Sequence, residues 1–555
     1  MRSSVPNRIS KIVTADEAIV RIPDGSMIAI GGLSYYGAPM DLVRALIRRG
    51  ARNLTVVTAA VTGIQLDLLI AAGCVKKVIS PYVAFEELGL APAFRRAAEK
   101  RQIEVVEIGE AFLAFGLKAA SSGSPFYVLP KWLAASDCPR VNSQYKKSTD
   151  PFTGETVVCV PAIRPDFTLL HARRADAHGN LQHEGSCFMD PLLARASRHV
   201  IATCDELMED SAIRAASAAT TVPGILVDAV VPAFGAAQPT ASFGCYEVDR
   251  DELKRYSKSA RDQATFAAYL SEFARPRAQA PRPLAERAGQ IAALTSGAVA
   301  KAELIATVIA RCVKDGTFTG AGTGCWEVLA GLRLAQLTHA PNASFTLGGT
   351  GALNAHLRQL PASLNDDCGL ADCEARIGLE ELFDLELGGA FDVMFLSGMQ
   401  IDRYGNVNLA FAGTWEKPAL RGPGTVGLEF APCVPRWVGF FRNHTKQVFV
   451  PKVDFISAIG YGSGPHSRRE FGIEDDHGPE LIVTNLAVLD FCPDTLRMRL
   501  QSVHPGVTVE RVVANTGFDL IVPTSVPDTP LPSADELSLL RSEIDSGGLL
   551  AKLVP

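Results

Sequence analysis

Two glycine-rich stretches are the first places in this 555-residue chain where residue type and spacing could do chemistry. Gly31-Gly32-Leu33-Ser34-Tyr35-Tyr36-Gly37-Ala38-Pro39 follows one short apolar run, and Gly320-Ala321-Gly322-Thr323-Gly324 follows another. Lacking Cβ atoms, such loops let backbone N–H groups approach an oxygen on which negative charge develops. Gly31, Gly32, Gly322 and Gly324 are therefore candidate oxyanion donors, and the competing reading of each is a tight strand-to-helix turn. The spacing is not the G-x-G-x-x-G of dinucleotide sites, and no acidic residue stands where a ribose partner is needed, which sets NAD aside. A second pair of strings is Asp176-Ala177-His178-Gly179-Asn180 and Asp402-Arg403-Tyr404-Gly405-Asn406. Asn180 and Asn406 either cap these turns or meet a ligand there. His171 and His178 read as hydrogen-bonding residues around the first of them.

These loops need strands behind them, and the strings repeat in order. Asp24-Gly25 and Asp315-Gly316 lie 315 − 24 = 291 residues apart, and the two Asp-x-x-Gly-Asn loops 402 − 176 = 226 apart. The first half thus carries 291 − 226 = 65 extra residues between its landmarks, as expected of two diverged copies of one domain. Apolar runs at 27–30, 54–58, 77–80, 104–108, 167–172, 199–202, 393–397 and 447–450 read as buried strands. Helices are expected at 15–20, 39–49, 251–273 and 301–313. Continuous apolar strands alternating with helices predict an α/β protein: two homologous, open, mostly parallel sheets with helices on both faces. In such sheets ligands sit at the carboxyl ends of the strands. The prolines of Arg275-Pro-Arg-Ala-Gln-Ala-Pro-Arg-Pro mark a linker, giving domains 1–274 and 291–530, a 275–290 connection and a 531–555 tail.

Composition narrows the function class. Lys plus Arg number 54 against 60 Asp plus Glu, a formal charge of −6 without a long basic run, so nucleic acid is not the expected partner. Hydrophobic residues make up 47% and charged residues 21%, enough for a large core. No window approaches the ~18–20 apolar residues of a membrane span, and no leader stands at the N-terminus, so a cytoplasmic protein is expected. Twelve scattered cysteines without metal spacing read as reduced core residues, with no metal site expected.

The sequence resembles the class I coenzyme A transferase superfamily, in particular the glutaconate CoA-transferase branch, with α-type and β-type subunits fused head to tail. The α-like strings are Gly31–Pro39, Phe85-Glu86-Glu87-Leu88-Gly89 through Arg95-Arg96-Ala97, Asp150-Pro-Phe-Thr-Gly154, His171–Asn180 and Pro223–Val231. The β-like strings are Gly320–Gly324, Asp402–Asn406, Phe449–Asp454 and His504–Thr508. The resemblance implies an acyl-CoA substrate, CoA as part of that substrate rather than a resident cofactor, and no metal or flavin. In the family's transferases a β-type glutamate attacks the thioester, forming a glutamyl–CoA thioester through an acyl anhydride. Here the matching position is Gly349, within Leu347-Gly348-Gly349-Thr350-Gly351, and Thr350 is no substitute. Glu327, Glu374, Glu380 and Glu381 are the nearest acids in sequence.

A branch of the superfamily that lacks this glutamate hydrolyses CoA thioesters of ring-bearing steroid fragments, with a glutamate of the α-type half as base. The match is Glu86 or its neighbour Glu87, which spacing alone does not separate; both are also readable as N-terminal charges of a following helix. A glutamate among Phe85, Leu88 and Leu90 would have its pKa raised by desolvation, as a general base needs. Arg95, Arg96, Lys446 and Lys452 are candidates for CoA phosphates, against solvated helix or loop faces. Arg442, with Arg436, Asn443 and His444, could line the substrate pocket. The resemblance thus implies hydrolytic ring opening or C–C cleavage of a cyclic acyl-CoA. The alternatives are CoA transfer between carboxylic acids, or a non-catalytic acyl-CoA binder. A homodimer or larger homo-oligomer is compatible with either.

Overall fold

Strand Met27–Ile30 begins after the Asp24-Gly25 turn and stands at the centre of the larger sheet. The computed structural model describes residues 8–261, 263–276, 281 and 297–553, so most of the 275–290 segment lies outside the described residues. Contacts divide the chain into two units, each with its own sheets. The first takes residues up to Val106, Leu113–Tyr127, and the chain from Pro161 to the end of the first half. The second takes Glu107–Phe112, Val128–Val160 and the chain from Gly297 onward.

In the first unit the strand order is Ala229–Pro232, His199–Met208, Phe167–Asp176, Met27–Ile30, Leu54–Thr58, Val75–Ile79, Glu104–Val106. Every neighbouring pair in this path is parallel. Its central strands are buried nearly throughout, which explains their unbroken apolar runs. Helix Met40–Arg49 buries Leu42, Val43 and Leu46, carries Asp41 in its first turn and Arg48 and Arg49 in its last, and stops at Gly50 with φ +73°. The expected helix over 251–273 is two, Arg250–Ser259 and Gln263–Phe273. Their Tyr256 and Tyr269 rings pack 5.5 Å apart, an aromatic contact that a straight helix would not make.

The second unit has fewer parallel pairs. Phe318–Ala321 and Ser344–Leu347 are parallel, followed by antiparallel Ala352–Leu353 and Ala375–Arg376. Val393–Leu396, Arg436–Phe441 and Gly478–Thr484 are parallel, with Ala487–Phe491 and Met498–Val503 added antiparallel. The strand expected at 447–450 is absent; only Phe449 makes a bridge, to Ile401, and the apolar run that forms a strand is Arg436–Phe441. The stretch expected as a tail is part of the core: Leu540, Ile544 and Leu550 are buried with Leu304, Ile309 and Leu329. Residues 107–112 and 128–160, expected in the first domain, belong to the second unit, because Glu107 and the backbone of Ala111 and Phe112 bond to Arg421 and Glu429.

The internal repeat is visible as one clasp made twice. Met27 N donates to Asp166 Oδ2 at 2.9 Å and Asp166 N returns a bond to Met27 O at 2.8 Å. Phe318 N donates to Asp392 Oδ2 at 2.7 Å and Asp392 N to Phe318 O at 2.9 Å. The offsets are 318 − 27 = 291 and 392 − 166 = 226, the same two intervals that relate the sequence strings. Both Asp-x-x-Gly-Asn loops are hairpin turns, joining Phe167–Asp176 to Leu181–Gln182 and Gln400–Ile401 to Val407–Asn408.

Candidate active site

The first unit brings Ser34 and Glu86 together at the carboxyl ends of its parallel strands. Gly31 N donates to Leu169 O at 2.9 Å, and Gly32 N to Asp190 Oδ1 at 2.9 Å. Both amides are therefore bonded inside the fold, where the sequence suggested oxyanion donors. A Cβ on Gly31 would lie 2.4 Å from Asp190 Oδ1, and Gly32 has φ +75° with Gly37 backbone 2.5 Å from where its Cβ would stand. These glycines let the chain turn tightly here. Leu33 and Tyr36 then exchange backbone hydrogen bonds of 2.8 and 2.9 Å, presenting Ser34, fully buried with φ +50°.

Glu86 stands on the facing loop. Glu86–Leu88 is a single 3-10 turn, separate from helix Pro92–Glu99. Phe85 N bonds Gly89 O at 2.7 Å, closing the loop, and Glu86 has φ +38°. Ser34 Oγ donates to Glu86 Oε1, and Tyr35 OH donates to Phe85 O. Burial, then the charges of Glu87 and Glu86, push the Tyr35 hydroxyl well above its ordinary pKa, so it remains a donor at all working pH. Glu86 is half-buried, whereas Glu87 is exposed and paired with Arg250. The two acids that spacing could not separate thus have different environments.

The basic residues named with them are engaged elsewhere. Arg95 Nε pairs with Glu99 at 2.8 Å along its own helix, and Arg96 donates to Ala260 O. Asn180 donates to Asp176 at 2.9 and 2.6 Å and accepts from Gly224 N at 2.9 Å. Asn406 donates to Asp402 at 3.0 to 3.1 Å and to Gly462 O at 2.8 Å, and accepts from Gly460 N at 2.9 Å. Both asparagines use their polar atoms to fix hairpins. His171 is buried among Thr203, Asp205 and Ser242.

In the second unit the glycine loop 320–324 meets a cation. Arg442 Nε and Nη2 form a two-pronged pair with Glu327, both at 2.7 Å, and Nη2 also donates to Gly324 O at 2.8 Å. The guanidinium lies over Trp326, 5.4 Å from the ring centroid. Glu327 is fully buried and held by this fork, which takes up its carboxylate. Gly348 N donates to Ala321 O at 3.0 Å, so the 348–350 turn containing buried Gly349 lies against the same loop and carries no carboxylate. Gly322 accepts from Cys325 N at 3.2 Å; burial pushes the Cys325 thiol up to about 12, so it is no nucleophile at neutral pH. Glu374 accepts from Asn354, and Lys452 is exposed.

One acid cluster carried no sequence signal. Glu429, 2% exposed, accepts from Ala111 N at 2.8 Å, Phe112 N at 3.3 Å and Tyr145 OH at 3.4 Å. Burial raises its pKa to about 8, and Glu107 adds to the rise. Glu386 is partly exposed as a residue, yet its Oε2 is enclosed without a hydrogen-bond partner, and burial raises it to about 8. Glu110 is raised by burial and by both these neighbours. Nearby Glu107 pairs with Arg421 at 2.7 Å and accepts from Thr425. The one available clue was glycine: a Cβ on Gly109 would overlap Glu429 Cδ at 2.0 Å.

The family model for coenzyme A transferase matches residues 12–233 and 372–515. The chain belongs to the coenzyme A transferase family. Subunits A and B of glutaconate CoA-transferase from Acidaminococcus fermentans are 29% and 32% identical to it. They match 48% and 44% of this chain and 88% and 92% of their own lengths, so one coenzyme A transferase-family chain here spans both subunit types. The cholesterol ring-cleaving hydrolase IpdA subunit of Rhodococcus jostii is 31% identical over 47% of this chain and 92% of its own. An uncharacterized protein of Archaeoglobus fulgidus is 35% identical over 47% of this chain, and the match spans 59% of that relative. The acyl-CoA transferase YdiF of E. coli O157:H7, solved as a thioester complex with CoA, superposes with TM-score 0.70 over 99% of both chains at 17% identity, a likeness of fold. Members of this family are enzymes acting on CoA thioesters. Among the described residues no helix is long and apolar enough to cross a membrane, and no group of three His, Cys, Asp or Glu could hold a metal ion.

Proposed function

We propose that this chain hydrolyses a carbon–carbon bond of a cyclic acyl-CoA, opening the ring, with Glu86 as general base. The observation that carries the reading is the half-buried Glu86 carboxylate, oriented by Ser34 at the strand ends. The glycine turn at 348–351, where a transferase nucleophile would stand, supports it by offering no carboxylate. In the proposed step Glu86 takes a proton from water as the oxygen attacks a ring ketone. The tetrahedral adduct collapses with cleavage of the adjacent C–C bond, whose electron pair leaves as an enolate. Protonation of that carbon by Glu86 restores the base; the products are a carboxylate and a ring-opened chain, with water's atoms accounted for. CoA enters only as part of the substrate. The sequence relationship to a ring-cleaving hydrolase subunit favours this chemistry.

The test joins two measurements. Glu86→Gln should lower turnover of a cyclic β-diketone-like acyl-CoA by roughly 10²–10⁴-fold, the range for loss of a general base. Incubation with simple acyl-CoAs, borohydride reduction and intact mass should show no reduced glutamyl adduct. An adduct mapped to a glutamate of the second half, with CoA exchange between two acids, would replace hydrolysis by transfer.

A further inference from the structure

We propose that Ser34 is the positioning residue of Glu86, its buried hydroxyl holding Oε1 of the carboxylate in place. This deepens the reading of Glu86 as base and rests on it for its catalytic meaning. The pair is built from both sides by strained backbone. Ser34, at φ +50°, and Glu86, at φ +38°, both sit in the left-handed region that non-glycine residues rarely enter. Each is fixed there by its loop: Ser34 N donates to Val61 O at 3.0 Å, and Leu33 and Tyr36 close the turn around it. On the other side Gly89 N bonds Glu86 O at 3.1 Å, and Tyr35 OH anchors Phe85 O. Ser34 is fully buried, so its hydroxyl has exchanged water for this carboxylate. A hydrogen bond to the charged form lowers a carboxylate's proton affinity.

Arg250 is paired with Glu87, and Tyr35 and Tyr82 are phenols near the two acids. A serine that only filled space would be replaceable by alanine or glycine without a change in the carboxylate's titration.

Two variants separate the hydroxyl from the strain. Ser34→Ala removes the hydroxyl and keeps the Cβ at positive φ; Ser34→Gly removes both, and glycine accepts φ +50° without penalty. The readout is the pH dependence of carbodiimide modification at Glu86, mapped by peptide mass, which does not depend on knowing the substrate. In both variants the Glu86 midpoint should move up by about half a unit or more, a roughly threefold or greater rise in proton affinity. The acid limb of the turnover profile should move with it, with kcat lowered and KM little changed. An unmoved midpoint in both variants would overturn the proposal. A shifted midpoint with fully active Glu86→Gln enzyme would uphold the positioning and overturn Glu86 as base.

Discussion

The Glu429 carboxyl allows a stability prediction with a worked magnitude. Its ordinary pKa is 4.5 and burial lifts it to about 8 in the fold, despite two backbone N–H bonds and the Tyr145 hydroxyl. The folded state therefore holds a proton that the unfolded chain has lost at neutral pH. Stability is fully present below about 4.5 and is lost as pH climbs through about 8. Buried histidines work in the opposite sense. His444, stacked on Phe449, is lowered from 6.5 to about 3 by burial, and His504 is lowered too, so their contribution is present above 6.5 and lost as pH falls. From pH 6.5 to 8 the buried histidines are past their titration and the buried thiols have not begun theirs, so the buried glutamates dominate. Within it Glu429 spans 8 − 6.5 = 1.5 units, which at 1.36 kcal/mol per unit is about 2 kcal/mol. Glu429→Gln keeps a carbonyl to accept from Ala111 and Phe112 and has no proton to lose. Urea midpoints and melting temperatures should fall with pH in the wild type and fall less in the variant. The variant should gain about 2 kcal/mol relative to wild type between pH 6.5 and 8. Parallel curves for the two proteins would refute the reasoning.

Two further outcomes concern the second unit. Arg442→Ala leaves the fully buried Glu327 carboxylate without its partner and should cost about 3–5 kcal/mol, measured by chemical denaturation, with Glu327→Gln in the same background recovering much of the loss. Asn406→Ala removes the acceptor of Gly460 N and the donor to Gly462 O and should cost roughly 2–3 kcal/mol. A loss below about 0.5 kcal/mol would show that hairpin to be self-sufficient.

Local signals in the chain reached the parallel sheet and the repeat. Met27–Ile30 and Leu54–Thr58 form at the expected residues, because continuous apolar runs bounded by Asp-Gly and Gly-Gly have no other use in a short segment. Asp24-Gly25 and Asp315-Gly316 precede equivalent strands, and their aspartates accept from Arg52 N and Asn342 N. Sequence could not assign residues 107–112 to the second unit. That placement depends on Glu107 meeting Thr425, 318 residues away, a contact that no periodicity encodes. The same limit applied at the site. Glu86 and Glu87 are adjacent in sequence, and what distinguishes them is a serine 52 residues upstream and an arginine 163 residues downstream. Gly31 and Gly32 were legible as glycines that must turn, but the aspartate and the leucine carbonyl that take up their amides were not.

The two copies have diverged where their loops end. In the first unit the loop after the leading strand closes on a carboxylate through Ser34; in the second it closes on the guanidinium of Arg442. The difference bears on which half suits base chemistry. Arg442 grips both oxygens of the Glu327 carboxylate at 2.7 Å, so that acid is committed to holding the loop. Glu86 accepts from the neutral Ser34 hydroxyl, and Arg250 is paired with the adjacent Glu87. Returning a nucleophile to position 349 would place it beside a glycine loop already committed to Arg442. That division favours the proposed base-catalysed hydrolysis from the first unit.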